Sequence, residues 1–74
     1  MRTYQIGIEY RDSDEGFVDV DRYRNIEEVV REAEDSIRSC DNIREIQIFT
    51  VSRLGTTMRR VVDRNGVRKV LVHF

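Results

Sequence analysis

Proline and tryptophan are absent from the 74 residues, and cysteine and histidine occur once each. With only Cys40, no internal disulfide can form, which fits a reducing, cytoplasmic setting. One cysteine and one histidine cannot build a structural zinc site. Neither Cys40 nor His73 belongs to a nucleophile–base–orienter set. The chain has no GxSxG, no P-loop and no GxGxxG segment. It is therefore read as no enzyme on its own, with no cofactor, metal or catalytic residue. Long apolar runs are also missing. The opening segment is already charged at Arg2, Glu9 and Arg11, so neither a signal peptide nor a membrane span is expected. Glycine is scarce at 4 residues, and apolar content is ordinary, so the chain should fold.

What is present starts with size and charge. A chain this short reads as one domain, residues 1–74. It buries only about 60% of its unfolded surface, so its core is thin and oligomerisation is a common remedy. The net charge of −1 conceals a split. Residues 1–52 hold 7 arginines against 13 acids, net −6, whereas residues 53–74 hold 6 basic residues against Asp63, net +5. Such a split points to recognition by charge, or to neutralisation of one half by the other within the fold.

Alternation and caps give the elements. Tyr4, Ile6, Ile8 and Tyr10 share one face of a strand over 3–11. A polar turn, residues 12–16, leads to a second strand over 17–24, with Val18 and Val20 inward and Asp19 and Asp21 outward. The acids around Gly16 lack the glycine position and closing glutamate of a calcium loop, and read as a soluble hairpin turn. Asn25 is an N-cap, with Glu28 completing a capping box. Ile26, Val29, Val30, Ala33, Ile37 and Cys40 then form one helical stripe. The exposed side of this helix is acidic. It is either an ordinary solvated face or a mimic of nucleic-acid charge toward a basic partner. Asn42 is placed to end the helix in a left-handed conformation.

A third strand covers 45–53, and Gly55-Thr56 turns it into a fourth. Asn65-Gly66, a strong hairpin signal, joins the fourth to a fifth. The fold class is α+β: an antiparallel sheet in the order β-β-α-β-β-β with one helix packed on one face. The helix stripe is expected against Ile6, Ile8, Ile48, Val61, Val70 and Val72, with Phe74 on the same side. The opposite face would be left open, exposing Phe49, Val51, Val62 and Leu71 among Arg53, Arg60, Arg64 and Lys69. An apolar patch of that kind is rarely left without use. Those eight residues are the candidate partner-binding surface, and a homodimer is one arrangement that would cover it. On that reading Val62→Glu would leave folding intact and abolish binding. A nucleic-acid reading would have the same arginines track phosphates, but only Phe49 offers a stacking aromatic.

The segment from Tyr4 to Ile37, strand, acidic-glycine turn, strand and helix, is similar to the opening of HicB-type antitoxins, without their proline-glycine-cysteine segment. This resemblance implies an antitoxin-like partner of a small toxin. The complete order β-β-α-β-β-β resembles that of small phage-encoded anti-CRISPR proteins. It implies a compact inhibitor that binds a large host protein or nucleoprotein machine in the cytoplasm. The resulting expectation is a non-enzymatic protein-binding module from a phage or mobile element. The alternative is a nucleic-acid-binding regulator using the basic C-terminal hairpin.

Overall fold

The alternating stretch after Met1 forms β1 (Arg2–Tyr10) in the computed structural model, which describes all 74 residues. β1 pairs antiparallel with β2 (Phe17–Tyr23) on one side and with β3 (Ile43–Ser52) on the other. β4 (Gly55–Asp63) and β5 (Gly66–His73) follow as antiparallel hairpins, giving the sheet order β2-β1-β3-β4-β5. The single helix α1 (Ile26–Ser39) lies between β2 and β3 in the chain and rests mainly on β3 and β4. The α+β class and the antiparallel sheet with one helix stand as the sequence implied. No helix is long and apolar enough to cross a membrane.

The Asn25 side chain accepts the Glu28 backbone N–H at 3.0 Å, as the capping pattern implied. The Glu28 carboxylate does not return to Asn25; it accepts from Arg24 Nε at 3.1 Å. At the other end, Cys40 is the C-cap with extended backbone, and no residue other than glycine has a positive φ. Asn42 therefore does not take the left-handed conformation. Arg64 does the capping instead. It donates from Nη1 to the Ile37 carbonyl at 3.0 Å and from Nη2 to those of Cys40 at 2.9 Å and Ile43 at 3.4 Å. A cation on the last carbonyls of a helix satisfies acceptors that have no intrahelical partner. Arg64→Ala should lower stability by about 1–2 kcal/mol. A urea midpoint unchanged from wild type would show that these contacts do not hold the helix end.

The core under the helix is built from Val29, Ala33 and Ile37 against Tyr4, Tyr23, Ile43, Ile46, Ile48 and Val62. Ile26, Val30 and Cys40 pack at its margin. Val61, Val70, Val72 and Phe74 are not part of it, contrary to the expectation above. Tyr23 accounts for a second difference, at β2. Its ring packs edge-to-face on Tyr4 at 6.1 Å, and its hydroxyl donates to Glu32 Oε2 at 2.6 Å. Burial, this bond and the nearby Asp21 and Asp19 charges push the phenol well above its ordinary pKa. Anchoring Tyr23 inward forces Asp19 and Asp21 to the helix side, because side chains alternate along a strand. Val18 and Val20 therefore point to the opposite face and stay exposed.

Candidate interaction surface

One residue decides which side chains reach the open face of the sheet. Along the first part of β4, Thr56 pairs with Val51 and Met58 with Phe49; beyond a β-bulge, Arg60 pairs with Ile48 and Val62 with Ile46. Arg59 is the extra residue. Because the side-chain period is two, one inserted residue exchanges the faces of everything after it. Val62 is thereby carried into the core, 1% exposed, and Val61 onto the open face.

The eight candidate residues consequently do not share a surface. Phe49 and Val51 lie on the open face. Arg53 sits in the β3–β4 turn and Arg64 in the β4–β5 turn, the latter engaged with the helix end. Arg60, Lys69 and Leu71 are on the helix side, Arg60 and Lys69 as a cross-strand pair. Val62 is buried. The earlier grouping into a mixed basic and aliphatic face is corrected by the bulge.

The open face is instead apolar. Phe49, Val51, Met58, Val61, Val70, Val72 and Phe74 run across β3, β4 and the chain end, and Val18 and Val20 continue the same face on β2. Within it, the Phe49 ring is 8% exposed and stacks edge-to-face on Phe74 at 5.8 Å. Gly7 lies beside that ring, at a position where a Cβ would make ordinary van der Waals contact with it at 3.6 Å. Val61 is likewise only 5% exposed, and the solvent-facing part of the patch is Phe74, Val72 and Val51, exposed by 69%, 44% and 42%. Charge on this face lies at its margins: Arg68 is within 4.0 Å of Glu45 and 3.9 Å of Asp63 at one end, and Arg22 follows Val18 and Val20 on the outer strand β2. An uncovered sheet face of this composition resembles the central part of an interface, where charged residues are depleted.

A different chemistry appears on the helix side. Arg2, Arg59 and Arg60 line a cleft of about 390 Å³ with Asn25, Glu27 and Thr50, beside the start of α1. Arg59 Nε donates to the Thr50 hydroxyl at 3.1 Å, and Arg60 Nη1 to the Arg59 carbonyl at 2.9 Å. None of the three arginines forms an ion pair with a carboxylate.

The sequence pattern placed Met58 on this face but missed Val61, Val70, Val72 and Phe74 as residues of it, together with Val18 and Val20. The available signal was the doublet Arg59-Arg60 followed by Val61-Val62, which strict alternation cannot accommodate. Comparison with family models, with curated proteins and with solved structures finds no match to this chain.

Proposed function

We propose that this chain is a non-enzymatic protein-binding module that engages its partner through the open face of the sheet. The observation that carries the reading is the apolar patch around Phe49, whose outer residues Val51, Val72 and Phe74 no element of the fold covers. A soluble chain that exposes such a patch gains free energy by covering it, at about 25 cal/mol per Å² of apolar surface removed from water. In its finer form, the module is an inhibitor encoded by a phage or mobile element that binds a host defence complex of CRISPR type. The small size and the element order β-β-α-β-β-β support that form.

The three-arginine cleft favours a second reading, binding of nucleic-acid phosphate beside the helix start. The two readings separate with Val72→Glu and Arg59→Glu, both at residues outside the buried core. On the first reading, affinity capture from host lysate returns a defined complex that survives nuclease. Val72→Glu then loses it and Arg59→Glu retains it, with both far-ultraviolet spectra unchanged. On the second, a nucleic-acid gel shift with steep salt dependence is lost in Arg59→Glu only. Capture unchanged by Val72→Glu would overturn the first.

A further inference from the structure

The two edges of the sheet are finished differently. On β2, the backbone N–H of Val20 donates to Asp19 Oδ1 at 2.9 Å and that of Arg22 to Asp21 Oδ1 at 2.8 Å. Asp19 and Asp21 are the residues aligned with Ile6 and Tyr4 of β1, and Val20 and Arg22 alternate with them. These carboxylates therefore occupy donors that a further strand would need, and they add negative charge along the edge. β2 is sealed.

β5 has no such device. Phe74 N–H donates to the Thr56 carbonyl at 3.0 Å. Backbone direction alternates along a strand, so the N–H groups of Leu71 and His73 point away from β4 into solvent. β5 also presents apolar side chains on both faces. Val72 lies on the open face, and Leu71, 63% exposed, lies on the helix side. Apolar residues on both faces are the pattern of a strand that is flanked and covered, not of an outermost one.

We propose that β5 is a docking edge that accepts an extended, acidic segment of a partner protein as a sixth strand of the sheet. The proposal rests on the reading of the chain as a protein-binding module and adds main-chain pairing to it. Charge selects the occupant. Arg68 and Lys69 are on β5, and Arg59 and Arg60 lie on the neighbouring strand. Asp63 is the only acid among residues 53–74. An incoming strand with carboxylates on the helix side meets Lys69, with Arg60 one strand further in, while its apolar side chains continue the open face beside Val70 and Val72. Pairing β5 with itself would bring the Arg68 and Lys69 of both copies into one ladder, which is unfavourable. Pairing β5 with β2 of another copy is blocked by the Asp19 and Asp21 caps. The fold thus presents one usable edge without the open-ended stacking that two usable edges invite. Main-chain bonds would supply affinity and the alternating side chains specificity.

The test uses the full chain, isotope-labelled for NMR, and a short acetylated peptide alternating glutamate and valine. Saturable binding is expected, with slowed amide exchange at Leu71 and His73. A peptide alternating lysine and valine should bind about tenfold more weakly, the sum of a few exposed ion pairs. Leu71→Pro removes one outward donor while leaving those toward β4, and should abolish binding of the acidic peptide. Lys69→Glu should weaken it without touching the backbone. No binding of the acidic peptide, equal binding of the two peptides, or protection at Val20 and Arg22 instead would overturn the proposal. So would slowed exchange at Leu71 and His73 that grows with protein concentration alone, which would place a second copy on the edge. Peptide shifts confined to Phe49 and Val51, with the β5 amides unprotected, would also overturn it while leaving the open-face reading standing.

Discussion

Val62→Glu is expected to unfold the protein. Val62 is 1% exposed and sits among Ile46, Ile48 and the helix stripe. A carboxylate there has no partner in an apolar core and costs several kcal/mol even after relaxation and water penetration. A chain of this size has about 4–11 kcal/mol of stability in all. The matched control is Val72→Glu, one strand away on the open face and 44% exposed. Its carboxylate stays in water, so it should keep the wild-type spectrum and urea midpoint to within about 0.5 kcal/mol. Circular dichroism and urea unfolding read both variants directly. A folded Val62→Glu with an unfolded Val72→Glu would mean that the bulge at Arg59 is absent and that the faces of the C-terminal hairpin are reversed.

That exchange of faces is where the sequence stopped being legible. The elements themselves were visible. Tyr4, Ile6 and Ile8 alternate, Asn25 caps, and Val29, Ala33 and Ile37 recur at helical spacing because burial on one face imposes those periods. The hairpins were visible too, but each turn lies earlier than its glycine signal implied. Ser52 pairs with Gly55 and Asp63 with Gly66, so Arg53-Leu54 and Arg64-Asn65 make the connections. In both, glycine follows the two turn residues and carries the positive φ, 129° at Gly55 and 132° at Gly66. At the second turn, the Asp63 carboxylate accepts the Asn65 N–H at 2.8 Å. This local bond competes with the tight turn that Asn-Gly alone would favour.

These turn shifts move cross-strand partners by even numbers and leave the faces intact. The bulge at Arg59 moves them by one and does not. A period-two pattern contains no term for an inserted residue. The consequence fell on the candidate site: Val62 and Arg60 left the open face, and Val61 entered it. The site was thus legible as a property of the last three strands, but its residues depended on a defect that alternation cannot place.

Phe49→Ala should cost about 3 kcal/mol, although its side chain lies on the uncovered face. Substitutions that truncate a buried phenylalanine cost about 3–5 kcal/mol, and the lower end applies where one side of the ring meets solvent rather than a packed layer. The ring is nonetheless 8% exposed. It is held between the bare backbone at Gly7 and the edge of Phe74. Removing it opens a hollow on the middle of the sheet that neighbours on a fixed strand register cannot close. Phe74→Ala should cost far less, about 1 kcal/mol, because that ring is 69% exposed and contributes chiefly the aromatic pair. Urea unfolding of the two single variants and the double variant measures both terms and their coupling. The size of the first loss bears on how binding data are read. If Phe49→Ala loses about 3 kcal/mol, weaker partner binding by that variant reports a damaged sheet, and the contact residues must be sought at Val51, Val72 and Phe74. If it loses less than about 1 kcal/mol, the ring is not part of the packing, and Phe49 becomes the first aromatic anchor to test against a partner.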